Sequence, residues 1–204
     1  MNPNKVKDTG EKQVFQNKFW NALTRTHISV PLGMFYSFSV WMLYTGIVVK
    51  EGSIIYLVSL FFAGLLFFSL IEYMIHRFAF HMEDDDGIKT WIKYHFHGVH
   101  HEFPKDVGRL AMPPLVSATL ATILFFVFTY TMGIYAYGFL PGFLTGYATY
   151  LWIHFAVHVY RPPNNFLKSL WVLHGIHHYK DHNVAYGVSS HFWDVIFGTM
   201  PKKK

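Results

Sequence analysis

The sequence predicts an all-α integral membrane protein. It has four transmembrane helices in two hairpins, under a histidine-rich helical cap on the cytosolic side. Three observations carry this reading. The 204 residues are 52% hydrophobic and only 14% charged, against a usual charged share of about 25%. Four uncharged apolar runs come in two pairs with short links, and the first is long enough at ~1.5 Å per residue to cross a ~30 Å hydrocarbon layer. Fourteen histidines accompany no cysteine at all, and most of them lie at the ends of those runs.

Residues 1–29 are polar, carry no apparent signal peptide, and precede a membrane domain spanning 30–201. The first run is 30–49. Lys50-Glu51-Gly52 makes a tight polar turn, and 53–71 is the second run, followed by Glu72 and His76. The second pair is 115–132 and then 135–150, continuing through 152–157. Gly138, Pro141, Gly142 and Gly146 weaken that last helix locally, which a membrane span tolerates. Residues 202–204 form a basic tail.

Two hairpins put the N-terminus, the middle segment and the C-terminal tail on one side. That side holds 16 of the 17 lysines and arginines, and Lys50 alone lies opposite. The positive-inside rule makes the large side cytoplasmic. The protein is therefore expected in the cytoplasmic membrane of a bacterium or the endoplasmic reticulum of a eukaryote. The net charge of +5 is then that of a basic inner face, and no nucleic acid partner is expected. A soluble bundle of very apolar helices would not explain the asymmetry.

The histidines follow the same topology. His76 and His81 follow the second run, and His97, His100 and His101 lie in the middle segment. His154 and His158 end the fourth run, and His174, His177 and His178 lie in the tail. On a helix, positions i, i+3 and i+4 share a face, so each His-Gly-x-His-His triplet can converge on one point. Adjacent histidines point about 100° apart, so a triplet can also straddle two metals. His154 and His158 are an i, i+4 pair. His76 and His81, five apart, are expected either to serve different metals or to have the helix end between them.

A lone histidine is ordinarily a satisfied surface or core residue, but two such triplets do not arise by chance at this histidine content. Many buried imidazoles would be costly without a metal or hydrogen bonds. Ten imidazoles around two ions give about five each, leaving one position on a roughly octahedral ion for water or substrate. The missing cysteines exclude disulfides, thiolate sites and cysteine-ligated clusters. Structural zinc would use four ligands. Two irons at the mouth of an apolar bundle suggest oxygen activation, with zinc able to replace iron in preparations. An all-imidazole ligand set leaves positive charge, so nearby carboxylates are expected from Glu72, Glu102, Asp106, Asp181 and Asp194. The run 83–86 reads as a solvated loop, and His27 as interfacial. His95, His182 and His191 are candidates for orienting the ligands.

Three stretches carry a family resemblance: "EYMIHRFAFH" (72–81), "HGVHHEFPKDVGRLAMPP" (97–114) and "HGIHHYKDHNVAYGVSSHFWDVIFGT" (174–199). They resemble the fatty acid hydroxylase superfamily of membrane di-iron proteins, and within it the fatty acid 2-hydroxylases. The likeness implies a dimetal centre held by the ten histidines named above. It also implies a monooxygenation at C2 of a long acyl chain, in a free fatty acid or a ceramide-like lipid, using O2 and two electrons. The chain departs from the family pattern at Tyr150-Leu151, where Tyr-Asp is usual.

Within these residues there is no Gly-rich dinucleotide fingerprint and none of the cytochrome b5 domain that some relatives carry in front. The expected donor is a separate cytochrome b5-type or ferredoxin-type protein. Tyr150, Trp152, Phe96 and Trp193 are candidates to line an acyl channel, with interfacial anchoring as the competing role. Arg109 and Lys105 are candidates to hold a carboxylate or polar head, against ordinary headgroup contact. Two other classes stay open: a carotenoid or sterol oxygenase of the same superfamily, and a non-enzymatic membrane metal-binding protein. A transporter would place ionisable ligands near mid-membrane, and the central thirds of these runs contain no His, Asp or Glu.

Overall fold

The computed structural model describes residues 13–14, 16–81 and 87–202. The acidic run 83–86, residues 1–12 and 15 of the polar N-terminal segment, Lys203 and Lys204 lie outside the described residues, as does the side chain of Phe96. Every regular element among the described residues is helical. Helix α1 (Lys18–Leu23) starts at Asn17, whose side chain accepts the Phe19 N–H at 2.9 Å. Helix α2 (Ser29–Tyr44) runs on through a π turn at Thr45–Val49. The chain then reverses at Lys50-Glu51-Gly52, with Glu51 at φ 53°.

Helix α3 (Ile54–Met74) continues as a π turn over Ile75–Phe80. The apolar run stops at Ile71, but no Gly or Pro follows before Gly87. The helix therefore continues past the run, carrying Glu72 and His76. Next come α4 (Ile88–Lys93), a π turn at Tyr94–Gly98 and α5 (Val99–Glu102). Helix α6 (Pro114–Met132) opens on a proline and is joined to α7 (Ala136–Val159) by a tight turn at Gly133–Tyr135, with Gly133 at φ 56°. Helices α8 (Lys168–Tyr179) and α9 (Phe192–Ile196) complete the chain.

Among the described residues, three stretches are long and apolar enough to cross a membrane: Ser29–Val49, Ile54–Phe80 and Val107–Val159, the last containing both α6 and α7. Only 17–22% of their most apolar windows is buried inside the protein. The rest of that apolar surface faces outward, as it does in a protein whose solvent is lipid. This is a membrane protein.

Helix α7 is the centre of the bundle. Against α2 the contacts run in reverse order. Phe35 meets Tyr147 with ring centroids 5.0 Å apart, the Ser39 hydroxyl donates to the Pro141 carbonyl at 3.1 Å, and Gly46 meets Tyr137. Against α3 they run in the same order: Gly138 on Leu57, Gly142 on Phe61, Gly146 on Phe68. Helix α7 is thus antiparallel to α2 and parallel to α3. A Cβ on Gly142 would lie 1.9 Å from the Phe61 carbonyl oxygen, and one on Gly64 2.0 Å from that of Phe139. The two backbones touch, which small residues alone permit. These glycines therefore form a packing face, and α7 is continuous through them and through Pro141.

Phe35, Met42, Leu140, Leu144, Ala148 and Leu151 form the buried apolar core between α2 and α7. Leu151 is part of this core. The parallel course of α3 and α7 brings His76, His154 and His158 to the same end of the bundle.

Candidate metal centre

Ten histidines gather at that end in two groups: His76, His81, His97, His101 and His177, then His100, His154, His158, His174 and His178. Within each group, one ring nitrogen from every member lies within 4.8 Å of all the others. Each triplet straddles the groups. Its i and i+4 members enter one group and its i+3 member crosses to the other, as the ~100° between adjacent helical residues requires.

His76 and His81 share a group; of the two expectations, different metals or a helix end between them, the second holds, because the helical segment ends at Phe80. An α-helix would separate them by about 140°. The intervening Ile75–Phe80 segment is a π turn with i→i+5 bonding, and such a turn brings residues five apart onto one face.

The ring chemistry fits a cation. The His76 Nδ1–H donates to the Tyr186 carbonyl at 2.5 Å, and the His177 Nδ1–H to the Val184 carbonyl at 2.8 Å. In a neutral imidazole, that leaves Nε2 as a bare lone pair. Yet His76 Nε2 faces His97 Nε2 at 3.1 Å, and His177 Nε2 faces His81 Nε2 at 3.0 Å. His97 Nε2 also lies 3.2 Å from that of His81 and 2.8 Å from that of His101. One ring nitrogen cannot serve three others through a single proton. In the second group, His100 Nε2 lies 2.9 Å from His154 and 3.0 Å from His178, and His158 lies 2.8 Å from His174. Converging lone pairs repel unless a positive ion sits among them.

Burial holds these rings neutral. It is the main force depressing the titration of His97, His100, His101, His174, His177 and His178 far below the usual range. Neighbouring imidazoles add to it. His81 is pushed down to about 2, by burial first and then by His177 and His182. A neutral imidazole is the form that binds a metal.

The carboxylates stand one step back. Glu72 accepts the N–H groups of Val188 and Ser189 at 2.8 and 2.9 Å, together with the Ser189 hydroxyl. Asp194 accepts the N–H groups of Tyr186 and Gly187, both at 2.8 Å, and the Thr199 hydroxyl at 2.7 Å. Both therefore hold the loop whose carbonyls hold His76 and His177. Those carbonyls leave no trace in a sequence, because every residue type has one. Glu102 accepts the Tyr94 hydroxyl at 2.6 Å, and burial with that bond pushes Tyr94 up to about 12. Asp181 is exposed and accepts the Asn183 N–H at 2.9 Å.

Asp106 and Arg109 are placed elsewhere. Asp106 pairs with Arg25 at 2.8 Å and with Arg109 at 3.3 Å. Arg109 also donates to Thr24 at 2.5 Å and Asn21 at 2.8 Å. These residues strap the N-terminal segment to the cap, and Lys105 is exposed at its surface. Tyr150 stacks on His154 at 5.5 Å with planes 8° apart. Trp152 faces outward beside Tyr160, and the Trp193 indole donates to Ser69 at 3.0 Å. His182 donates to the His177 carbonyl at 2.6 Å and lies 5.0 Å from the His101 ring. His95 bonds Trp91, His191 bonds Ser169, and His27 is exposed beside Ser29.

A family model described as fatty acid hydroxylase matches residues 61–199. The chain is 38% identical over 149 residues to "Ceramide very long chain fatty acid hydroxylase scs7" of Schizosaccharomyces pombe, covering 70% of this chain and 42% of that protein. It is 31% identical over 194 residues to "Dihydroceramide fatty acyl 2-hydroxylase FAH2" of Arabidopsis thaliana, covering 92% of this chain and 79% of that one. The chain thus spans less than half the length of the yeast relative. A solved structure, "Full length scs7p (only hydroxylase domain visible)", superposes with a TM-score of 0.82 at 33% identity, over 92% of this chain and 71% of that chain.

Proposed function

This chain belongs to the fatty acid hydroxylase family, and from that premise we propose that it hydroxylates C2 of a long fatty acyl chain, free or amide-linked in a ceramide-like lipid. The observation that carries the reading is the convergence of two five-histidine groups at one end of an apolar bundle. We assign His76, His81, His97, His101 and His177 to one iron, and His100, His154, His158, His174 and His178 to the other. When bound, the two ions would supply the activation of O2 that oxygenates an unreactive C–H bond. Five imidazoles per ion fall one short of six ligands, which leaves room for an exogenous oxygen.

The chain itself supplies position and dryness. Burial of the rings excludes water and keeps them neutral. Four crossings, α2, α3, α6 and α7, with the cap on the cytoplasmic side, are supported by the packing directions and by the lysine and arginine distribution. The centre then sits where a lipid's head meets its tail, and a lipid entering from the bilayer presents carbons near its carbonyl. We assign the tail to an apolar groove of about 430 Å³ between α3 and α7, lined by Leu65, Leu66, Phe68, Gly146 and Ile153. Electrons come from a separate b5-type or ferredoxin-type donor.

The test is reconstitution with a reductase and donor under ¹⁸O₂. Mass spectrometry is expected to find one labelled oxygen at C2. A hydroxyl near the chain end, a new double bond, or an oxygenated carotenoid or sterol ring would overturn the reading.

A further inference from the structure

We infer that Asp194 and Glu72 are positioning residues for one of the two metal positions only, acting through the loop 184–190 on His76 and His177. The inference rests on the reading of the two histidine groups as two metal positions.

The relay follows from peptide geometry. In a trans peptide, the C=O of one residue and the N–H of the next lie in one plane and point in opposite directions. The Gly187 N–H points at Asp194 Oδ2, 2.8 Å away. The Tyr186 carbonyl of the same plane therefore points the other way, to the Nδ1–H of His76. The Ala185 N–H donates to the Thr199 carbonyl at 2.9 Å, and the Val184 carbonyl of that plane takes the Nδ1–H of His177. Thr199 is itself tied to Asp194 through its hydroxyl at 2.7 Å and its N–H at 2.9 Å. Glu72 fixes the next two N–H groups, those of Val188 and Ser189.

The two carboxylates thus bind the N–H groups of 186, 187, 188 and 189 in succession. The loop is built for this contact. Asp194 is fully buried, Ala185 takes a left-handed φ of 55°, and a Cβ on Gly187 would sit 2.7 Å from Asp194 Oδ2. Hydrogen bonds in such a chain polarise one another, so negative charge at Asp194 strengthens the lone pair that His76 presents. Among the described residues, no carbonyl of this loop is hydrogen-bonded to a ring of the other group. The rings of that group come from α5, α7 and α8.

The experiment uses full-length protein loaded with cobalt(II) in detergent, challenged with EDTA while the visible absorption of the bound cobalt is followed. In Asp194→Asn and Glu72→Gln, one equivalent is expected to leave at roughly 10- to 100-fold lower chelator concentration, as when a partner of a metal-bound histidine is removed. The other equivalent should keep its wild-type behaviour and spectrum. Thr199→Val and Ser189→Ala, which remove one hydroxyl each and keep both carboxylates, are expected to loosen the same equivalent by a smaller factor. They serve the test should the carboxylate variants fail to fold. Equal loosening of both equivalents, or of neither, would overturn the inference alone. Fewer than two equivalents in the wild type would overturn the two-metal reading and this inference with it.

Discussion

Along the bundle, α7 meets α3 through Gly138, Gly142 and Gly146, and what specifies the contact is the absence of side chain. In the cap the reverse holds. Ten imidazoles are pressed together, and their contact is specified by ring nitrogens that repel one another unless a cation intervenes. The contact between α3 and α7 is made by the chain's own atoms alone, whereas the cap's geometry makes physical sense only as a receptacle. The two regions should therefore fail differently when perturbed.

The largest effect is expected in the cap. His97 and His100 are the hubs of their groups, each with its Nε2 close to several others. Either replaced by Ala should remove activity to background, more than ~100-fold, and lower the metal content, since even partners of metal-bound histidines are worth 10- to 100-fold. Circular dichroism should show the bundle helices unchanged. Loss of helix in His97→Ala would break the contrast.

Gly142→Leu is the converse. A Cβ there would lie 1.9 Å from the Phe61 carbonyl oxygen, so the helices must separate at a cost of at least about 3 kcal/mol, at the upper end of overpacking penalties. The expected result is loss of folded protein in a detergent melt, with no special sensitivity to metal.

Acid should act on the cap through burial. The unfolded chain's histidines bind protons near the usual ~6.5, whereas the buried rings bind them only far lower. Below about pH 6.5 the unfolded state of the metal-free protein therefore binds more protons, and stability falls as pH falls. His97, His100, His101, His174, His177 and His178 all contribute with that sign. Thermal melts of metal-free protein should show a Tm that is flat above about pH 7 and drops below 6.5. A Tm that rises on acidification would contradict the neutral state of these rings.

The smallest effect is expected at the strap. Arg109→Ala removes bonds to Thr24, Asn21 and Asp106, worth roughly 1–3 kcal/mol as hydrogen bonds to a charged group. Limited proteolysis should cut the N-terminal segment sooner, while activity changes little. A collapse of activity would move Arg109 back to the substrate role that its place in the sequence suggested.

Much of the site was legible in the sequence because helical spacing is local. The two His-Gly-x-His-His triplets and the His154/His158 pair announce shared faces, and the apolar runs announce the bundle. For His76 and His81 the spacing allows a helix end between them, but not the π turn that brings them together, which a periodicity of 3.6 does not contain. The glycines of α7 read as weak points, because a sequence shows the side chain that is missing and not the backbone that comes to fill the gap.

Arg109 and Asp106 sit inside the most specific motif, yet their partners Thr24, Asn21 and Arg25 lie some 80 residues away in the chain and no local pattern names them. By itself, then, the sequence determined the apolar runs that become helices, the end of the bundle that carries the histidines, and the absence of any cysteine thiolate. Only the tertiary structure decided which five histidines share a point, which backbones touch, and which carbonyls orient the rings. Those depend on distances between segments far apart in the chain and on peptide planes that every residue type possesses alike.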